Sequence, residues 1–534
     1  MKKFWQKKYF WRLSPSVFNL CYVAFTLLAY NLAFMRAAYR ADYSPVAAAI
    51  ITAAVFAAFN LILGICNLQR LIKPLAASFC VANSAALYFM DAYGVVIDKI
   101  MLLNVLQTDI YEVRDLLNAK MLIHLIFFGL LPAYLIYKTE IVYAPLKTEL
   151  RQRAISNCYT LAIAALLVAA FYPQAEIVLR KFRYLKSSLI PANYISAGIS
   201  VTKSKIKQSR YKLQKISHGA TMLPQAHSDK PTLLVVVVGE SARAANFSLQ
   251  GYERPTNAAL SPFADKLIYF DNFYSCGTST AVSLPCIFAK AGRKDFVPES
   301  EKYTENVLDV IHHAGYKLLW RENNTDCKDN CNRIEQERFC QVKECPDEIL
   351  LTDFAKKIRA SRKPMLVVLH QRGSHGPLYR LRYPENFAPY QPVCNKEYLQ
   401  DCSFEEIVNA YDNTLTYTSE MLAMTLSELT KLSAEYNTAF LFVSDHGESL
   451  GEDNIYLHSA PYDSAPDFQT HIPMMLWFSD GFAKANRINR QCVAALKSQF
   501  FSHDNIFHTL LGMSSVASPH YQENLDILAP CRQQ

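Results

Sequence analysis

A chain of 534 residues is too long for one hydrophobic core, so two or more domains are expected. Half of the residues are hydrophobic (51%), only 19% are charged, and the net charge is +8. A basic balance suits nucleic acid or anionic lipid. The chain carries no zinc finger, RNP motif or basic zipper, which excludes the familiar nucleic-acid binders, and its apolar first third favours lipid.

Five apolar segments succeed one another at 18–35, 46–66, 74–90, 121–137 and 154–172. Each is long enough to cross a hydrocarbon core of ~30 Å. Five such stretches in a row do not fit the interior of a soluble protein. Residues 1–173 are therefore expected to form an α-helical transmembrane domain of five helices. Lys2, Lys3, Lys7, Lys8 and Arg12 precede the first segment, Arg70 and Lys73 follow the second, and Lys138, Lys147, Arg151 and Arg153 follow the fourth. The positive-inside rule places these three stretches in the cytoplasm, so the rest of the chain after Tyr172 lies outside. No Ala-x-Ala-like cleavage chemistry follows Met35, so the first segment reads as a retained span and not a signal peptide.

One outer connection, 98–120, holds Asn104, Thr108 and Glu112, each four residues apart. On a helix they share one face. That face is either simply solvated or a wall facing a lipid headgroup. Residues 174–230 then form a basic linker, with Arg180, Lys181, Arg183 and Lys186 interleaved with Phe182, Tyr184 and Leu185. It reads as an interfacial amphipathic segment along anionic headgroups, or as a plain solvated connector.

From residue 231 to 534 the texture becomes alternating strands and helices. The run Leu233 to Val238 is a buried parallel strand by its continuous β-branched composition, and it delivers Glu240 at its C-terminal end. A carboxylate there is costly unless solvated, paired or metal-bound. Next comes Cys276-Gly277-Thr278-Ser279-Thr280, a turn entering a helix. Thr280 is either a helix cap or a nucleophile at a helix start, where free N–H groups favour anions. A threonine hydroxyl needs its pKa lowered to react, and a bound metal does that. Asn324 and Lys328 follow another strand, 316–320, within reach of phosphate oxygens or in a merely polar loop. The strand 365–369 leads into His370 and His375. Finally Phe440 to Val443 ends abruptly in Ser444-Asp445-His446-Gly447-Glu448, followed by His458. Ligand sites in open α/β sheets lie beyond C-terminal strand ends, and Asp and neutral His are ordinary zinc ligands. Asp445 and His446 thus read as half of a metal site. His370, His375, His446 and His458 all follow strand ends or their loops; His124, His312, His313, His503, His508 and His520 do not, and are expected to be structural.

Of fourteen cysteines, ten lie between Cys276 and Cys531. Zinc clusters are the competing reading, but the Cys-x2-Cys spacing is missing. Neighbours in sequence suggest disulfides Cys276–Cys286, Cys327–Cys331, Cys340–Cys345 and Cys394–Cys402, with Cys492–Cys531 as the remaining pair. That implies an oxidising compartment and agrees with the outside placement reached from charge.

Together these motifs resemble the lipid A phosphoethanolamine transferases, the family that includes the mobile colistin-resistance enzymes. The resemblance rests on Val-Gly-Glu240-Ser-Ala-Arg, Cys-Gly-Thr-Ser-Thr280, Asn324-x3-Lys328, Gly-Ser-His375-Gly-Pro, Ser-Asp445-His446-Gly-Glu and the Asn104, Thr108, Glu112 loop. It implies a soluble α/β sandwich of the alkaline phosphatase/sulfatase type with a mostly parallel central sheet. It also implies one tightly bound zinc held by Glu240, Thr280, Asp445 and His446, with room for a second zinc. Thr280 would be the nucleophile. His375, His458, Asn324 and Lys328 would contact the phosphoethanolamine group, with His375 or His458 as general acid, and Asn104, Thr108 and Glu112 would line the donor-lipid site. The implied reaction passes phosphoethanolamine from phosphatidylethanolamine to Thr280, releasing diacylglycerol, and then to a lipid A phosphate. This lowers negative surface charge and gives resistance to cationic peptides and polymyxins. The expected setting is the bacterial inner membrane, with a cytoplasmic N-terminus, a periplasmic catalytic domain and a monomeric chain.

A sulfatase needs Cys or Ser in a Cys/Ser-x-Pro-x-Arg motif, which the sequence after Thr280 lacks. Phosphoethanolamine or phosphoglycerol transfer to another envelope acceptor, such as a core sugar, glycan or protein, would use the same fold. A catalytically dead scaffold has no need of the complete Glu240, Thr280, Asp445, His446 set.

Overall fold

The structure is a computed structural model that describes residues 9–42, 44–107, 116–172, 186–208, 211–224, 229–324, 326–340, 345–396 and 398–533. The chain divides into two compact units. One comprises Met1–Leu102 with Leu117–Val201, and the other Leu103–Leu116 with Thr202–Gln534.

The first unit is helical: α1 (Pro15–Tyr30), α2 (Leu32–Asp42), α3 (Pro45–Cys66), α4 (Ile72–Tyr93), α5 (Ala119–Tyr137) and α6 (Leu146–Ala170). Four of these, α3 to α6, are long and apolar enough to cross a membrane, and α1 is apolar but shorter. The expected first segment, 18–35, is broken at Asn31. The Asn31 amide donates to the Thr26 and Ile190 carbonyls and accepts from the Ile190 N–H, so at the break its side chain pairs with the backbone of a distant segment. α6 starts earlier than hydropathy suggests. Its charged first turns are tolerated because Glu149 is buried and paired with Arg153 at 2.7 Å. The middle of α5 widens into a π-turn over Leu125–Leu130, and one carbonyl there, that of Phe128, accepts from the Tyr30 hydroxyl at 2.6 Å.

The second unit is built on a seven-stranded sheet. In chain order its strands are β1 (Thr232–Gly239), β2 (Ile268–Phe270), β3 (Lys317–Glu322), β4 (Glu335–Arg338), β5 (Met365–His370), β6 (Asn437–Ser444) and β7 (Met474–Phe478). Their spatial order is β2-β7-β6-β1-β5-β3-β4. The pairs from β6 to β4 are all parallel, and β7 and β2 add antiparallel neighbours at the other edge. This is the mostly parallel sheet that the sequence predicts. The apolar run of β1 serves two cores. Leu234, Val236 and Val238 face one, and Leu233, Val235 and Val237 face the other. Burial on both faces is why β1 and β6 are continuous apolar runs and do not alternate. The second core is covered by the long helix α8 (Phe404–Leu432), which starts at a Ser403–Glu406 capping box. All five expected disulfides are formed, and Cys21, Cys66, Cys80 and Cys158 are free thiols.

Candidate active site at the strand ends

Strand register brings the first two site residues together. Ser444 of β6 pairs with Gly239 of β1, so the residues that follow, Asp445 and Glu240, leave the sheet side by side. The Asp445 N–H donates to the Gly239 carbonyl and ties the two chain exits. Asp445 Oδ1 accepts from the Ser241 and His446 N–H groups at 3.0 and 2.7 Å. Its Oδ2 is buried, accepts no hydrogen bond, and lies 3.3 Å from His446 Nε2. His446 Nδ1 is 2.8 Å from the Gly447 carbonyl. A carbonyl only accepts, so the Nδ1–H donates there and the ring turns Nε2 toward the carboxylates.

Thr280 arrives from a third element. It opens α7 (Thr280–Phe288), behind the turn at Gly277 and inside the Cys276–Cys286 bridge. A Cβ on Gly277 would meet Val282 Cγ1 at 2.7 Å and Ser283 Oγ at 2.8 Å, so only glycine lets the loop fold this tightly onto the helix start. Thr280 Oγ1 lies 3.1 Å from both Glu240 oxygens and 3.3 Å from His446 Nε2, and Glu240 Oε1 is 3.3 Å from the same nitrogen.

The electrostatics follow from burial of two carboxylates beside one ring. Burial pushes the Glu240 carboxyl up, but the hydrogen bond and charge of His446, with His375 and His458 nearby, outweigh it and hold the group well below the usual range. Burial and the Glu240 charge push Asp445 up to about 6. Burial works against a charged His446, yet Asp445 and Glu240 raise it to about 10. The cluster therefore attracts positive charge at His446 Nε2, as a proton or as a metal ion. Glu240, Asp445 and His446 are one of two groups among the described residues close enough to hold a metal.

The other expected residues are placed unevenly. His458 and His375 join the site: the His458 ring is 4.3 Å from that of His446 and 5.9 Å from that of His375. Burial holds His375 well below the ordinary histidine range, so its ring is neutral. Asn324 points its amide at Glu240 Oε2 (2.9 Å) and the Gln371 carbonyl (2.9 Å). Lys328, at φ +47°, lines a small recess behind α7 with Pro285, Glu301, Glu305 and Arg333. Asn104 donates to Ser459 Oγ at 2.7 Å, next to His458. Thr108 and Glu112 lie outside the described residues.

Two residues of the site have no role in the sequence reading. Glu448 is fully buried, accepts from the Tyr379 hydroxyl at 2.8 Å and holds His458 Nδ1 at 2.8 Å. With His446 and His458 it makes the second group able to hold a metal. It stands inside the Ser-Asp-His-Gly-Glu stretch, and its position two residues past His446 was the available signal. His370, the last residue of β5, sits behind Asn324 at 3.2 Å.

Residues 232–516 match the Sulfatase family model, and residues 55–206 match that of Phosphoethanolamine transferase EptA/EptB. The phosphoethanolamine transferase EptA of Escherichia coli (strain K12) is 36% identical over 490 residues, 89% of each chain. The chain belongs to the phosphoethanolamine transferase family. The integral membrane lipooligosaccharide phosphoethanolamine transferase A (EptA) from Neisseria meningitidis superposes with a TM-score of 0.93 at 31% identity, covering 98% of this chain and 100% of that one. The C-terminal periplasmic domain of EcEptC from Escherichia coli, solved in complex with Zn, shares the soluble fold at 21% identity and a TM-score of 0.51, over 59% of this chain and 90% of that one. This chain is thus an integral membrane phosphoethanolamine transferase with a sulfatase-like catalytic domain.

Proposed function

We propose that this chain moves phosphoethanolamine from phosphatidylethanolamine to a phosphate of lipid A in two displacements, through a covalent ester on Thr280. The observation that carries the reading is the position of the Thr280 hydroxyl, at a helix start and within 3.3 Å of Glu240 and His446.

The donor set fits zinc. A tetrahedral N/O set at about 2.0 Å from a metal has ligand–ligand edges of about 3.3 Å. Thr280 lies 3.1 Å from Glu240 and 3.3 Å from His446, His446 lies 3.3 Å from Glu240 and from Asp445, and the bare Asp445 Oδ2 faces the same cluster. These four residues would hold one zinc, and His446, Glu448 and His458, or the two histidines His375 and His458 with a bound phosphate, offer room for a second. Zinc bound there would supply the positive charge that lowers the pKa of a hydroxyl and neutralises phosphate oxygens.

In the first displacement Thr280 Oγ1, deprotonated to the alkoxide, attacks the phosphorus of the donor. The bond to the glycerol oxygen breaks and diacylglycerol leaves with a proton. His458 is the better-oriented donor of that proton, because Glu448 holds its Nδ1 and fixes the ring. His375, kept neutral by its buried position, contacts the transferred group. Lys328 and Asn324 bind phosphate oxygens, where positioning and charge carry most of the catalysis. In the second displacement a lipid A phosphate oxygen attacks the same phosphorus, the bond to Oγ1 breaks, and Thr280 is regenerated. Asn104, Thr108 and Glu112 guide the donor lipid.

Both substrates are lipids, which is the reason for a membrane anchor. The Lys and Arg distribution supports a cytoplasmic N-terminus and a periplasmic catalytic domain, and the five disulfides suit that compartment. In this proposal residues 1–173 form the membrane domain, 174–230 a basic linker and 231–534 the catalytic domain of a monomer. The product is a less negative outer surface that binds cationic polymyxins less. Mass spectrometry of lipid A from cells expressing the protein tests this. A phosphoethanolamine increment with the wild type, absent with Thr280→Ala, is expected; unmodified lipid A with the wild type overturns the assignment.

A further inference from the structure

Glu240 is held from both ends. Ser241 Oγ donates to Oε1 at 2.9 Å and the Asn324 amide donates to Oε2 at 2.9 Å. Pinned this way, the carboxylate presents its remaining lone pairs to Thr280 and His446. The Ser241 contact is local, between sequence neighbours. The Asn324 contact is not, and something must fix the Asn324 side chain in turn.

That something is a buried chain of partners on β3 and β5. His370 Nε2 lies 3.2 Å from Asn324 Nδ2, and His370 Nδ1 lies 3.4 Å from Glu322 Oε2. The two residues are cross-strand partners in the sheet register. Glu322 is itself anchored, by the Trp320 indole N–H at 2.8 Å and by Arg338 at 3.0 Å. His370 and Glu322 are both fully enclosed, and Trp320 stands edge-on to the ring. Donor and acceptor roles run one way along this chain. A carboxylate only accepts, so His370 Nδ1 carries the proton and Nε2 is left to accept from the Asn324 amide. Glu240, the Gln371 carbonyl and His370 then surround the amide nitrogen with acceptors only. Turning the amide over would set its oxygen against all three, so its N–H groups are locked toward Glu240.

We propose that His370 is a positioning residue for the metal centre: acting through Asn324, it fixes the orientation of the Glu240 carboxylate. It touches neither substrate nor metal. This inference rests on the zinc-dependent reading above, and Asn324 gains a second duty beside any contact with phosphate. The logic is that of outer partners that orient metal ligands, whose loss costs roughly 10–100-fold in metal affinity or activity.

The test uses the purified full-length protein in detergent with His370→Phe, which keeps a flat ring but cannot accept, and His370→Gln, whose amide reproduces both the acceptor and the donor. Zinc affinity is measured by competition with a chelator, and kcat and KM with a phosphatidylethanolamine donor and lipid A. His370→Phe is expected to weaken zinc binding by roughly 10–100-fold and to lower kcat with KM for the donor unchanged. His370→Gln is expected to restore most of both. Where His370→Phe fails to fold, Glu322→Gln replaces it, since it weakens the same chain one step further out and is expected to move zinc affinity in the same direction. Zinc affinity within twofold of wild type for a folded His370→Phe overturns the proposal, as does an equal loss in His370→Gln. Failure of the parent reading has a different signature: a wild-type protein that binds zinc but leaves lipid A unmodified.

Discussion

Asp445 Oδ2 faces His446 Nε2 at 3.3 Å with no hydrogen bond of its own, although Asp445 Oδ1 accepts two. The two halves of one carboxylate thus divide their work, one holding the strand-end loop and the other turned to the centre of the cluster.

This division makes Asp445→Asn a clean probe. The asparagine carbonyl can keep both backbone bonds while the charge facing His446 is lost. The protein is expected to fold, to lose bound zinc on purification, and to lose transfer activity by at least the roughly 10–100-fold seen when even outer metal partners are removed. Metal analysis beside a turnover assay checks it. Full zinc occupancy in the variant would contradict the proposed ligand set.

Gly447 sits between His446 and Glu448 against the chain of Phe468. A Cβ there would collide with the Phe468 carbonyl oxygen, a backbone atom that cannot rotate away. Gly447→Ala must therefore shift the loop, and with it the carbonyl that orients His446. A stability loss of about 1–3 kcal/mol is expected, together with reduced zinc content, in denaturant melts and metal analysis. Unchanged zinc content would mean that the loop relaxes without moving His446.

The five disulfides should not contribute equally. Cys492–Cys531 spans 39 residues and Cys327–Cys331 only 4. Loop-closure entropy gives about 4 kcal/mol for the first and about 2 kcal/mol for the second. Paired alanine substitutions, compared by chemical denaturation, should rank in that order. The reverse order would show that local packing, not chain entropy, dominates.

His503 links the Thr280 loop to the end of β6. It accepts from the Cys276 N–H at 3.2 Å and donates to the Ser444 carbonyl at 3.0 Å, which requires a neutral ring. Burial lowers its pKa to about 3, against about 6.5 in an unfolded chain. Between those values the unfolded state binds the extra proton. The stability His503 contributes is therefore complete above about pH 6.5 and is lost progressively as pH falls toward 3. The gap in thermal midpoint between wild type and His503→Leu should shrink as pH is lowered through this window. A gap independent of pH would contradict the neutral, doubly bonded ring.

Much of this site was legible in the chain because parallel strands announce themselves. The continuous apolar runs before Glu240 and Asp445 located both carboxylates at strand ends, and the pairing of Gly239 with Ser444 is what makes them neighbours. Clustered cysteines likewise named their partners. What stayed hidden depends on contacts between distant segments. Asn324 read as a phosphate contact, and only its approach to Glu240 and His370 reveals an orienting role. His503 lacked any strand-end signature, yet it bridges two strand-end loops. The first apolar segment looked unbroken because hydropathy does not register the Asn31 side chain pairing with the backbone of Ile190.

The covalent step on Thr280 is tested most directly by mass spectrometry of the peptide that carries it. Purified full-length protein is incubated with phosphatidylethanolamine and no acceptor, quenched and digested. A phosphoethanolamine increment on Thr280 is expected, absent in Thr280→Ala and discharged when lipid A is added before quenching. Release of diacylglycerol with Thr280 unmodified, or an increment that survives the acceptor, would contradict the account.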